Sequence, residues 1–193
     1  MAKLHFFYST MNAGKSTSLL QSNHNYIENN LKTMLFIPKH TESMSYGKIV
    51  SRIGIEADAL LFNKDFNFLK FVEENKSVNL GCILIDEAQF LTQQQVKDLG
   101  KVADTLNFPV MCYGIRTDFM GKLFEGSSEL LALADNLIEL KTICSMCPRK
   151  ATMVVRLDRS KNVLLKGNQI QIGGNDTYKV VCRKHFRKLT NLI

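Results

Sequence analysis

The chain has 193 residues, 45% hydrophobic and 22% charged, enough for one well-buried domain or for one domain with a small appendage. No apolar run approaches the ~18 residues that a membrane span requires. The N-terminal "MAKLHFFY" lacks the basic, apolar and small-residue regions of a secretory signal, so the expected address is the cytoplasm.

The net charge of +7 is unevenly spread. Residues 141–193 hold 12 Lys/Arg against 2 Asp/Glu, a net of +10, and the residues before them carry a net of −3. That break predicts two units, 1–141 and 142–193. A basic segment is a footprint of nucleic-acid binding, but more commonly an ordinary solvated surface. Only Tyr178 and Phe186 are available there to stack on bases, so nucleic-acid binding is not expected.

In chain order, "LHFFY" is a short apolar run expected to form a strand, and the Gly-Lys-Ser-Thr that follows opens an amphipathic helix to about Asn30. "TMLFI" (33–37) is a second buried strand, ended by Pro38, and the next twenty polar residues are expected to form a long loop. "FLKFVEE" is a helix and "CILID" (82–86) a third strand. Thr92 N-caps the helix "TQQQVKDLGKVADTL". "PVMCYG" (109–114) is a fourth strand, and "SSELLALADNLIEL" gives a helix followed by a strand. Alternation of this kind predicts an α/β fold, a mostly parallel sheet with helices on both faces. After Lys141 short strand-like pieces, Gly-rich turns and paired cysteines predict a small antiparallel appendage.

Two motifs carry chemistry in the first unit. "STMNAGKST" (9–17) has the form of a phosphate-binding loop, with Ser9 where the pattern has its first glycine. In such a loop backbone N–H groups and a helix N-terminus converge on an anion. Lys15 would reach the β- and γ-phosphates, and the Ser16 hydroxyl would ligate Mg²⁺. "CILIDEAQF" places Asp86-Glu87 where an apolar strand emerges, the position from which a carboxylate holds the same Mg²⁺. A phosphate loop with a strand-end acid about seventy residues later points to nucleotide hydrolysis or phosphoryl transfer. Glu87 suits either a water-orienting ATPase residue or the base that accepts a proton from an acceptor hydroxyl. Phe90, Phe119 and Phe124, on loops after strands, together favour a bound acceptor, although any one of them taken alone is more readily a core residue.

In the second unit Cys144 and Cys147 ("CSMC") and Cys182 and His185 ("CRKH") form two knuckles, each with two intervening residues, suited to tetrahedral Zn²⁺ at the base of an extended hairpin. The metal would replace a core that some fifty residues could hardly build. Cys82 and Cys112 lie inside apolar strands and are expected to be inert buried thiols.

In order, "MNAGKST", "IDEAQF", "YGIRTDF", "CSMC", "QIGGNDTY" and "VCRKH" resemble the type II thymidine kinase family over essentially the whole chain. The resemblance implies a P-loop NTPase-like α/β domain with a zinc-held lasso. It implies transfer of the ATP γ-phosphoryl group to the 5′-hydroxyl of thymidine or deoxyuridine, a homotetramer, and feedback inhibition by thymidine triphosphate. On this resemblance Gly14, Lys15, Ser16 and Thr17 form the phosphate site, extended by Ser9, Met11, Asn12, Ala13 and Gln89. Asp86 is the magnesium carboxylate and Glu87 the general base. Phe90, Ile115, Phe119 and Phe124 enclose the thymine ring, and Gln171, Ile172, Gly173 and Tyr178 belong to the lasso that closes over it. One departure stands out. The acidic residue and nearby Arg that family members often carry after the second strand are replaced by Glu42 and Ser43, so the role of that Arg passes to Lys39, Lys48 or Arg52 or is lost.

Overall fold

The computed structural model describes residues 1–39, 47–171 and 173–192; Glu42, Ser43 and Ile172 lie outside them. The elements run β1 (Leu4–Ser9), α1 (Lys15–Glu28), β2 (Lys32–Pro38), β3 (Lys48–Val50), β4 (Glu56–Asp58), β5 (Leu60–Phe62), α2 (Phe68–Asn75) and β6 (Leu80–Ile85). A 3₁₀ turn follows at Ala88–Phe90, then α3 (Gln93–Thr105), β7 (Val110–Ile115), α4 (Glu125–Leu133) and β8 (Asn136–Glu139). The remainder is β9 (Thr142–Ile143), β10 (Lys150–Ala151), β11 (Met153–Leu157), β12 (Val163–Leu164), β13 (Tyr178–Val181) and α5 (Arg183–Thr190).

Six strands form one sheet in the order β5-β2-β6-β7-β1-β8, with every pairing parallel. Because successive side chains alternate between faces, each strand feeds two cores. Leu4, Phe6, Phe36, Ile83, Ile85 and Val110 pack against α2, α3 and α4 through Phe68, Val72, Val96, Leu99 and Leu130. On the opposite face Leu35, Cys82, Leu84 and Tyr113 pack against Leu19 and Leu20 of α1. The expected strands and helices are therefore present with helices on both faces, as purely parallel sheets require.

Local chemistry sets the starts. Thr92 caps α3 reciprocally: its hydroxyl accepts from Gln95 N–H (3.2 Å), and Gln95 Oε1 accepts from Thr92 N–H (3.0 Å). Gly14 caps α1 at φ 72°, a left-handed conformation that a side chain resists.

The long loop expected after β2 is only partly a loop. Within its described part β3 and β4 form an antiparallel hairpin, and β5 then joins the sheet edge. Beyond β8 pairing turns antiparallel throughout: β9 with β10, and β11 between β12 and β13. A separate cluster built from Ala151, Met153, Val155, Val181 and Phe186 fills this part, as expected for a small appendage.

Candidate active site

The carboxyl ends of β1, β6 and β7 face the same way, and the loops leaving them meet, which is where parallel sheets place their ligands. The loop after β1 brings Lys15 to a buried position where Nζ donates to Thr10 O (2.9 Å) and Ser9 Oγ (3.3 Å). Ser9 thus tightens the loop through its hydroxyl in place of the usual glycine. Burial pushes the Lys15 ammonium below its ordinary range, while Glu87 and Asp86 pull it back and Arg52 opposes them.

Ser16 Oγ donates to Asp86 Oδ2 at 2.7 Å, joining the first turn of α1 to the end of β6. Asp86 is buried; desolvation foremost, and then the charge of Glu87, push its carboxyl up to about 7. A hydroxyl and a buried carboxylate held together form a hard-oxygen pair of the kind Mg²⁺ accepts.

Glu87 follows at φ 51°, a left-handed conformation uncommon for a side-chain-bearing residue. Its Oε2 accepts from Gln89 Nε2 (2.5 Å), and Gln89 Oε1 accepts from Ile115 N–H (3.1 Å), so the acid is braced from β7. The turn that carries it is pinned from behind by Gly126 in α4. A Cβ at Gly126 would lie 2.5 Å from Ala88 O and 2.8 Å from Leu91 O, inside backbone contact distance.

These groups share one cavity of about 590 Å³ with the aromatic residues. Met11 through Thr17, Glu87 and Gln89 line it together with Phe90, Ile115, Phe119, Phe124, Gln171, Gly173 and Tyr178. Phe90 and Phe124 meet edge to face at 5.9 Å, and Phe119 and Phe124 are buried. Of the residues expected at the site, Ser9 and Asp86 stand just behind this lining, bonded to Lys15 and Ser16. Gln169, Ile170, Gln171 and Gly173, from between β12 and β13, lie across the cavity; Tyr178, at the start of β13, donates to Gln171 O (2.7 Å).

Of the three replacement cations, Arg52 lines the cavity; its Nη1 donates to Asn175 Oδ1 (3.0 Å), which also accepts from Asn12 Nδ2 (2.9 Å). Lys48 instead pairs with Glu56.

Asp118, Val154, Arg156 and Gln169 also line the cavity and were not singled out in the sequence. Asp118 sits within "YGIRTDF" and holds its own loop by accepting from Met120 N–H (2.8 Å) and Lys122 N–H (2.9 Å). For Arg156 there was a signal: a lone charge in the apolar run "MVVRL".

Cys144, Cys147, Cys182 and His185 gather with their ligand atoms all within 4.8 Å of one another. Cys147 Sγ and Cys182 Sγ are 3.8 Å apart, and His185 Nδ1 lies 3.4 Å from both Cys144 Sγ and Cys182 Sγ. Tetrahedral Zn²⁺ at the usual bond lengths needs edges of about 3.5–3.8 Å, so three thiols and an imidazole fit the ion. Cys82 and Cys112 lie apart, fully buried; burial pushes the Cys82 thiol up to about 12 and raises Cys112 likewise.

Comparison with known proteins bears on the whole chain. Residues 2–186 match the family model described as thymidine kinase. A protein named thymidine kinase from Mannheimia succiniciproducens is 55% identical over 98% of this chain and 97% of its own length. One of the same name from Rhodopirellula baltica is 54% identical over 97% of this chain and 89% of its own. Another, from Shewanella oneidensis, is 52% identical over 97% and 98%.

Proposed function

The chain belongs to the thymidine kinase family, and we propose that it transfers the γ-phosphoryl group of ATP to the 5′-hydroxyl of thymidine, and of deoxyuridine, as a step of nucleotide salvage. The observation that carries this reading is the position of Glu87. It shares one cavity with Lys15 and Ser16 on one side and with the Phe90–Phe124 pair and Phe119 on the other. An acid there stands between a phosphate donor and a flat apolar acceptor.

In this mechanism Gly14 through Thr17 cradle the phosphates, and Lys15 leaves its contacts with Thr10 and Ser9 for their oxygens. Arg52 supplies the cation that relatives draw from the loop after the second strand. Ser16 and Asp86 would hold Mg²⁺, which when bound offsets charge on the transferring group. The thymine ring lies among Phe90, Ile115, Phe119 and Phe124, and Gln169, Ile170, Gln171 and Gly173 close over it as a lid that excludes water. The 5′-oxygen attacks the γ-phosphorus and gives its proton to Glu87, as the bond to the departing ADP breaks. Gln89 and the left-handed turn hold the Glu87 carboxylate in place.

Zn²⁺ at Cys144, Cys147, Cys182 and His185 would secure the lid at its base. We divide the chain at 141/142 into a catalytic and a lasso domain. Cytoplasmic location, a homotetramer and inhibition by thymidine triphosphate complete the proposal; no helix among the described residues is long and apolar enough to cross a membrane.

The test is Glu87→Gln, which keeps the Gln89 contact and loses the base. Turnover is expected to fall about 10²- to 10⁴-fold, the usual range for a general base, with ATP affinity retained. Unchanged turnover would remove Glu87 from the chemistry.

A further inference from the structure

Arg156 is the largest fully buried side chain, 1% exposed, in the middle of the apolar strand β11. Buried arginines ordinarily face a carboxylate, yet among the described residues no acid lies within ion-pair distance of this one. Its surroundings are carbonyls and rings. Nη1 donates to Asn168 O (2.7 Å), Nη2 to Gln169 O (3.1 Å) and Nε to Tyr178 Oη (3.1 Å). The guanidinium carbon lies 3.8 Å from the Phe119 ring centroid and 5.3 Å from that of Tyr178.

Each of these partners belongs to the cavity wall or to the segment that crosses it. Asn168 and Gln169 are held directly, and Gln171 is held through Tyr178, whose hydroxyl donates to Gln171 O. On the far side Gln169 Nε2 reaches Asp118 Oδ2 (3.0 Å) and Leu123 O (3.2 Å) on the loop that carries Phe119 and Phe124. One planar group therefore ties the crossing segment to the aromatic floor.

We propose that Arg156 is the latch of the lid, a positioning residue that sets residues 168–171 against Phe119 at the spacing a nucleoside base requires. A buried guanidinium needs substitutes for water, and here they are the lid's carbonyls together with two π faces. Lifting the lid lets water replace those carbonyls, so the latch favours closure without sealing it. A lysine keeps the charge but lacks the planar fork that serves three acceptors at once. The proposal rests on the reading of this cavity as the nucleoside site.

The experiment compares wild type with Arg156→Met, Arg156→Lys and Phe90→Leu. KM for thymidine and for ATP is measured, together with zinc content and tryptic cleavage after exposed Lys166 in the lid, with and without thymidine. In R156M, KM for thymidine is expected to rise ~10- to 100-fold, the weight of hydrogen bonds to a charged group, with KM for ATP within about threefold. R156K is expected to recover part of the loss, and thymidine is expected to protect Lys166 in wild type but not in R156M. An unchanged thymidine KM, an equal rise for ATP, or full protection in R156M would each overturn the latch. If R156M does not fold, the same comparison in R156K decides. F90L, at a cavity residue outside the latch, separates the two claims: a thymidine KM unmoved in that variant would mean that the cavity does not hold the base, whatever Arg156 does.

Discussion

Lys15, Asp86, Glu87 and Arg52 share a small volume in which each charge shapes the others. Lys15 is lowered by burial and raised by the two acids, and Arg52 opposes that pull, so Arg52 lies near enough to act on the Lys15 charge. Its bond to Asn175, shared with Asn12, places it between the phosphate loop and the lid. Arg52→Ala is therefore expected to raise KM for ATP by about tenfold, the lower end for a charged hydrogen bond at an exposed residue, and to leave KM for thymidine nearly unchanged. Steady-state kinetics with each substrate varied checks this; an ATP KM equal to wild type would return the role to another cation. Among single residues the legible ones were those whose chemistry has a fixed spacing: Lys15 and Ser16 after Gly14, Asp86-Glu87 after an apolar run, and the cysteine knuckles. Gln169 left no signal, and the lone charge of Arg156 in "MVVRL" marks its position without its role, because both roles depend on which strand and loop these residues meet, and that is set by the tertiary fold.

Among the elements, strands and helices long enough to show a period were legible in sequence. "LHFFY", "CILID" and the capped helix from Thr92 each matched their structural element, because burial on one or both faces leaves a pattern. β3, β4 and β5 were not, since three residues each, such as "EAD" and "KIV", are too few to carry alternation, and β3 and β4 depend on each other for pairing. The cysteine knuckles illustrate how an element can depend on a ligand. The four candidate ligands come from the β9–β10 region and the start of α5, so a bound Zn²⁺ would tie the ends of the intervening segment together. Stripping the metal with a strong chelator is expected to loosen β11–β13 and abolish thymidine-dependent turnover, because binding and folding of such sites are coupled. Alkylation at pH 8 tests it residue by residue. Cys144, Cys147 and Cys182 are expected to react after chelation. Cys82 and Cys112 stay unmodified, since the thiolate is the nucleophile and burial keeps both thiols protonated. Rapid labelling of Cys82 in the chelated protein would mean that the metal supports the whole fold and not the lid alone.

At the scale of the whole molecule the uneven charge of the chain finds a place. Arg116, Arg149, Lys150, Arg183, Lys184 and Arg187 line a second hollow that shares no residue with the cavity around Lys15 and Glu87, and Glu139 there pairs with Lys150. The basic hollow and the proposed reaction site are thus distinct. A basic zinc-bearing segment beside a phosphate loop also suits an ATPase that grips nucleic acid, and turnover distinguishes the two. The decisive measurement is ADP formation from Mg-ATP with thymidine, deoxycytidine, DNA or no acceptor, with the product identified. Turnover is expected to require thymidine and to yield its 5′-monophosphate. ADP formed equally without acceptor, or only with DNA, would contradict it and make Glu87 a residue that positions water.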